Sequence, residues 1–138
     1  MNEDKQALIQ YYLERADETL LDAKSLIASQ AWNSAMNRLY YACFYAVEGV
    51  LTQKISLNVK THAGIRTLFN LHLVKEGLIN TELSSFYSLL MQRRGESDYV
   101  AFEKLTSEDV LPLIPQAEEF INTIKKLLRK DSKKDNHD

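Results

Sequence analysis

From about Asp4 to Ser29, apolar residues recur every three or four positions, at Leu8, Tyr12, Ala16, Leu20, Ala23 and Ile27, with Glu14, Asp17, Glu18 and Asp22 between them. That period predicts an amphipathic helix with one wet face. The stretch from about Asn33 to Thr52 is apolar on nearly every side: Ala35, Met36, Leu39, Tyr40, Ala42, Cys43, Phe44, Ala46, Val47, Val50 and Leu51. A helix without a polar stripe belongs in the middle of a bundle. Its polar exceptions, Asn37 and Arg38, allow two readings. Arg38 either snorkels to water at the rim or meets a buried anion, because a desolvated guanidinium needs one. Asp98 is the carboxylate expected in the second case.

Residues 53 to 59 lack helical periodicity and read as a loop. A third helix is expected from Thr61 through Ile65, Leu68, Phe69 and Leu73 towards Gly77, a stop signal. Asn80 is an N-cap candidate for a fourth, which carries Leu83, Phe86, Tyr87, Leu90 and Met91 and should run to about Arg94, before Gly95. Thr106 with Asp109 three positions on resembles a capping arrangement for a last helix. Pro112 and Pro115 then require either a separate first turn or a kink. From Gln116 the pattern Ala117, Phe120, Ile121, Ile124, Leu127 and Leu128 is amphipathic again. Residues 131–138, DSKKDNHD, have no apolar member and are expected to form a disordered tail. The expectation is an all-α, up-and-down antiparallel bundle of four to five helices occupying residues 1–130.

Composition narrows the classes. At 138 residues the chain suits one domain, and four glycines and two prolines leave little punctuation for many short strands. The formal charge of −2 forces no general attraction to phosphate backbones, although a local basic patch can still bind RNA. Cys43 is the only cysteine, so an intrachain disulfide and a cysteine zinc cluster are excluded, and its apolar surroundings predict a core position. The longest apolar run, Leu39 to Val47, falls well short of the roughly 20 residues of a membrane span. With a polar, acidic N-terminus unlike a signal peptide, a cytoplasmic protein without membrane contact is expected.

Glycine-rich phosphate loops, the His-Glu-x-x-His zinc motif and the Gly-x-Ser-x-Gly elbow are all absent. No two histidines share a ligand spacing on one helix face, so neither a metal nor a cofactor is expected. His62 should lie in the first turn of the third helix, where the dipole favours a neutral imidazole. His72 is expected at the surface, and His137 lies in the tail. Lys125, Lys126, Arg129 and Lys130 are explained by a helix C-terminus, which attracts cations. The run Arg93-Arg94-Gly-Glu-Ser-Asp98-Tyr99 packs two guanidiniums, two carboxylates and a phenol around a glycine. It is either a salt-bridged helix end or a phosphate site, since paired arginines match phosphate geometry.

Three segments carry a resemblance. Asn37-Arg38-Leu39-Tyr40-Tyr41-Ala42-Cys43-Phe44-Tyr45-Ala46 resembles the central-helix signature of the HEPN domain family (higher eukaryotes and prokaryotes nucleotide-binding), in its small single-domain prokaryotic branch. Lys60-Thr61-His62-Ala63-Gly64 resembles that branch's second signature, and Arg94-x3-Asp98-Tyr99 its third. The resemblance implies a helical bundle that commonly dimerises and is often encoded beside a minimal nucleotidyltransferase in a toxin and antitoxin pair.

Many HEPN proteins are metal-independent ribonucleases whose motif is an arginine, four to six residues, then a histidine. Here Tyr99 stands in the histidine position. Tyrosine titrates near 10, so only about a thousandth of it is a base at neutral pH. The carry-over therefore supports phosphate binding at Arg38, Tyr41, Arg93, Arg94 and Asp98. It leaves Arg94 and Tyr99 as catalytic candidates, with His62 as a substitute base. The family's modified tyrosine would fall at Ala101, so that chemistry is not carried over. Three functions follow in order: a phosphate-binding accessory or partner of a nucleotidyltransferase, a ribonuclease toxin with weak or absent activity, and a structural dimerisation module. Tyr40, Tyr41 and Tyr45 on differing faces predict a homodimer.

Overall fold

The computed structural model describes the backbone of residues 2–55, 61–99 and 104–135, and the side chains of residues 3–55, 61–94 and 104–130. The elements are α1 (Asn2–Ala28), α2 (Trp32–Lys54), α3 (His62–Phe69), a π-helical turn (Asn70–Val74), α4 (Thr81–Tyr99), the single turn α5 (Ser107–Val110) and α6 (Leu113–Asp135). Among the described residues there is no strand, and the expected all-α bundle is the fold found.

Small residues bring α1 and α2 close together. Ile9, Ala16 and Ala23 lie seven apart on α1, as do Ala35, Ala42 and Gly49 on α2, and all six are buried. A methyl group at Gly49 would stand 3.5 Å from Tyr12 Cβ and 3.8 Å from the Ile9 carbonyl oxygen. In an antiparallel pair that register sets Ala42 level with Ala16 and Ala35 level with Ala23. A seven-residue repeat keeps one seam facing its partner along the whole length. The reversal is tight: Gln30 takes φ 60, and the amides of Gln30 and Ala31 donate to the carbonyls of Ile27 and Leu26, both at 2.9 Å.

Helix α2 is the centre, touching α1, α3, α4, α5 and α6. Met36, Leu39, Val47, Val50 and Leu51 are fully buried, and each such side chain contributes about 1.5–3 kcal/mol. Cys43 is a buried free thiol, as expected, and burial pushes its titration far up.

Local signals set the ends of α3 and α4. The Thr61 hydroxyl accepts from the Gly64 amide at 3.0 Å and starts α3. After Phe69 the helix widens, so that the Lys75 amide reaches the Asn70 carbonyl at 2.8 Å, and Gly77 follows at φ 77. Asn80 Oδ1 accepts from the Leu83 amide at 2.8 Å, capping α4. Helix α4 does not stop near Arg94 but runs through Gly95 to Tyr99. A mid-helix glycine costs about 1 kcal/mol relative to alanine, too little to break a helix anchored by buried Leu83, Phe86, Tyr87 and Leu90. Arg94 and Asp98 are therefore one helical turn apart, not on opposite sides of a loop.

Asp109 Oδ2 accepts from the Thr106 amide at 2.8 Å and from its hydroxyl at 3.1 Å, as the capping pattern predicts. The prolines are accommodated by a separate first turn. Pro112 lies between α5 and α6, and Pro115 sits in the first turn of α6, where its missing N–H needs no partner.

Helix α6 continues to Asp135, five residues into the segment expected to be a tail. Residues 131–135 hold no glycine or proline to end it. Lys125, Lys126, Arg129 and Lys130 consequently do not occupy the last turn, and the helix-end explanation fails for them. Lys125 reaches Asp17 on α1 at 2.7 Å, and Arg129 Nε donates to the Lys125 carbonyl at 3.4 Å. No helix of the described residues is long and apolar enough to cross a membrane.

Candidate functional site

The N-terminal half of α2 carries Tyr40, Tyr41 and Phe44, spaced so that Tyr40 and Phe44 share a face. His62, the first residue of α3, lands on that face. Its ring stacks on Phe44 at 4.3 Å and on Tyr40 at 5.6 Å, and meets Tyr41 edge-on at 5.6 Å. The Tyr40 hydroxyl and His62 Nδ1 are 2.6 Å apart. From α4, Tyr87 stacks on Tyr40 at 5.9 Å. The Tyr87 hydroxyl is shut away from solvent without a hydrogen bond of good geometry. It is nevertheless coupled to Tyr40, each hydroxyl shifting the other's titration.

Two guanidinium groups converge on the Tyr41 ring from different helices. Arg38, on α2, places Cζ 5.0 Å from the ring centroid, while Nε and Nη2 donate to Asn37 Oδ1 at 3.1 and 2.7 Å. Arg94, on α4, places Cζ 5.6 Å from the same centroid and 5.8 Å from that of Tyr40, and its Nη2 donates to the Tyr41 hydroxyl at 3.1 Å. Each cation gains about 0.5–1 kcal/mol from a half-exposed ring. Both arginines are half-buried, so their charge faces a partly desolvated rim.

The electrostatics follow from burial and from Arg94. Burial raises the Tyr40 phenol to about 12, against the opposing pull of the Tyr87 hydroxyl and the Arg94 charge. Burial and then the Arg94 charge lower His62, keeping its imidazole neutral at pH 7. His62 opens α3 as expected, and burial and Arg94 act in the direction expected of the helix dipole.

Arg38, Tyr41, Arg94 and His62, separated by up to 56 positions, are thus brought together. Arg93, half-buried on α4, lies near enough to Asp109 of α5 for its charge to add to the lowering of that carboxyl, which comes first from the Thr106 hydrogen bonds. Asp98 and Tyr99 belong to α4, but their side chains lie outside the described residues, as does the Arg38–Asp98 pairing. His137 is also outside them. His72, expected at the surface, is partly exposed on the π turn. Tyr40, one of the apolar positions of the central helix, is fully buried, so of the three tyrosines expected to favour a homodimer only Tyr41 and Tyr45 are half-exposed. Sequence reasoning missed Phe44 and Tyr87 as the walls of the histidine pocket. The four-residue spacing of Tyr40 and Phe44 was the available signal. Among the described residues no group of three or more histidine, cysteine or acidic side chains could hold a metal.

A separate groove of about 510 Å3 lies between α1 and α6, with Ile9, Leu13 and Leu128 among apolar lining residues and Asp17 and Lys125 at its rim. It contains none of the motif residues.

Comparison with known proteins agrees with this architecture. The HEPN domain matches residues 9–127. A UPF0332 protein of Thermotoga maritima is 40% identical over 128 residues, covering 93% of this chain and 96% of its own. A Methanocaldococcus jannaschii protein named "Putative toxin MJ0605" is 35% identical over 129 residues, covering 94% and 95%. A protein of Gloeobacter violaceus, UPF0332 protein glr0978, is 28% identical and covers 79% of this chain and 86% of its own. With the central-helix signature forming the buried heart of the bundle and Arg94 folded back onto it, the chain belongs to the HEPN domain family.

Proposed function

We propose that this HEPN protein binds the phosphate of RNA or of a nucleotide at Arg94 and Arg38, with Tyr41 as the aromatic platform between them. The observation that carries the reading is the convergence of the two guanidiniums on one ring. Phosphate is bound by arginine through paired N–H donors, and a base adjoining that phosphate can stack on an aromatic face. Asp98, one turn beyond Arg94, is assigned to orient the guanidiniums. The protein acts as an accessory or partner in a two-component system with a minimal nucleotidyltransferase, and as a homodimer through the half-exposed Tyr41 and Tyr45 face.

A second reading, a metal-independent ribonuclease toxin, is favoured by the relative named as a toxin and by the imidazole beside Arg94. Tyr99 in the histidine position argues for weak wild-type cleavage, because general acid–base catalysis supplies about 10² to 10⁴-fold. The experiment compares wild type, Arg94→Ala and Tyr99→His on single-stranded RNA without divalent metal, following binding and cleavage. Weaker binding by Arg94→Ala, with cleavage gained only in Tyr99→His, supports the first reading. Robust wild-type cleavage abolished by Arg94→Ala selects the second.

A further inference from the structure

We infer that His62 serves this site as a fixed hydrogen-bond donor to the bound phosphate, its proton held on Nε2 by the buried hydroxyl of Tyr40. The inference rests on the phosphate-binding reading and adds a third donor to the two arginines.

The Tyr40 side chain is fully buried, and a buried O–H needs an acceptor. Among the described residues, the acceptor its hydroxyl meets is His62 Nδ1. Tyr40 therefore directs its proton along this 2.6 Å contact. That nitrogen must then be the lone-pair nitrogen. In a neutral imidazole the single proton sits on Nε2, so the tautomer is set from within the core.

Nε2 makes no hydrogen bond among the described residues and is not one of the buried unpartnered atoms, so it retains contact with solvent. The ring cannot easily swing away, being stacked on Phe44 at 4.3 Å and edged by Tyr41. Among the described residues, the titratable groups facing it are Tyr40 and Tyr41 from α2 and Arg94 from α4. An N–H fixed beside a guanidinium suits an anionic oxygen. It does not suit a base, since the lone pair needed for proton abstraction is already engaged by Tyr40. His62 is on this argument a binding residue, not the substitute for the missing motif histidine.

The test reads tautomer and affinity separately. Long-range proton–nitrogen correlation of the whole protein at neutral pH, with His62 assigned by its loss in His62→Gln, should show the Nε2–H form. Tyr40→Phe should turn it into a tautomer mixture. A wild-type Nδ1–H form overturns the inference. Affinity is measured for a mixed-sequence single-stranded oligoribonucleotide and for a ribonucleoside 5′-monophosphate. His62→Ala should weaken binding about tenfold, as expected for losing a hydrogen bond to a charged group. His62→Gln, whose amide N–H replaces the donor, should stay within about threefold of wild type. A loss on both probes assigns the donor to phosphate in either ligand, and a loss on the oligomer alone assigns it to a phosphodiester. Unchanged binding of both by His62→Ala overturns the inference, whereas unchanged binding by Arg94→Ala overturns the underlying reading instead.

Discussion

The two halves of helix α2 are equally central to the bundle and chemically unlike. From Ala46 to Thr52 the buried side chains are Ala46, Val47, Val50, Leu51 and Thr52, and the Thr52 hydroxyl is satisfied within the helix by the Glu48 carbonyl at 2.7 Å. From Asn37 to Phe44 the helix holds Arg38, which Asn37 satisfies within the helix, and Tyr40 and Tyr41, whose hydroxyls are met by His62 from α3 and Arg94 from α4. One half is mainly aliphatic packing, with Glu48 meeting Tyr12 of α1. The other draws its polar partners from two further helices, and such a network is what the proposed phosphate site would need. The difference separates residues that hold the fold from residues of the proposed site.

Substitutions should make that division visible, with the largest effect in the aliphatic half. Leu51→Ala removes a fully buried side chain and should lower stability by about 2–5 kcal/mol in urea titration. RNA affinity of the folded fraction should stay unchanged. Arg38→Ala should do the reverse, weakening RNA binding about tenfold by filter or anisotropy assay while costing about 1 kcal/mol or less of stability, because the side chain is half-exposed and already satisfied by Asn37.

Acid should act on the halves with opposite sign. In the site half, the folded protein holds His62 below its ordinary value through burial and the Arg94 charge. The unfolded chain then binds more protons just below pH 6.5, so this contribution is present above about pH 6.5 and is lost as pH falls from there towards the folded value. In the other half, burial raises Glu48, against the hydrogen bond from Tyr12. The folded state holds that proton at a higher pH than the unfolded one, so this contribution is present at acid pH and declines as pH rises through the window above the ordinary glutamate value. Urea titrations of His62→Gln and Glu48→Gln between pH 4 and 8 (about the span of the two windows) should each remove one slope. A shared sign would break the comparison.

The smallest effect belongs to Gly49. A methyl there meets Tyr12 and Leu13 at 3.5 and 3.7 Å, ordinary contact distances, so Gly49→Ala should recover helix propensity and raise stability by up to about 1 kcal/mol, visible as a higher Tm. A destabilised variant would show that the α1–α2 approach is tighter than its register implies.

Much of the scaffold was legible because it depends on local chemistry. Asn80, Thr106 with Asp109, and Gly77 mark helix ends through hydrogen bonds or backbone freedom that nearby residues determine. The tertiary choices were less legible. Gly95 looked like a boundary, yet packing of Leu83, Phe86, Tyr87 and Leu90 carries α4 past it. Lys125 looked like a helix-end cation, whereas its partner Asp17 comes from 108 positions away. Within the site, the signatures identified Arg38, Tyr41, His62 and Arg94. They did not reveal that the Tyr40 hydroxyl joins His62, because that contact depends on where α3 meets α2.

The most direct test of the phosphate site is the salt dependence of oligoribonucleotide affinity for wild type and Arg94→Ala. A guanidinium that neutralises a phosphate releases counterions, so the slope of log affinity against log salt should flatten by about 0.7 in the variant, the increment for one contact on a single strand. Affinity at low salt should fall at least about tenfold, as for a lost charge-assisted hydrogen bond. Equal affinity and an unchanged slope would show that Arg94 serves the packing of Tyr41 alone and that the phosphate site does not exist.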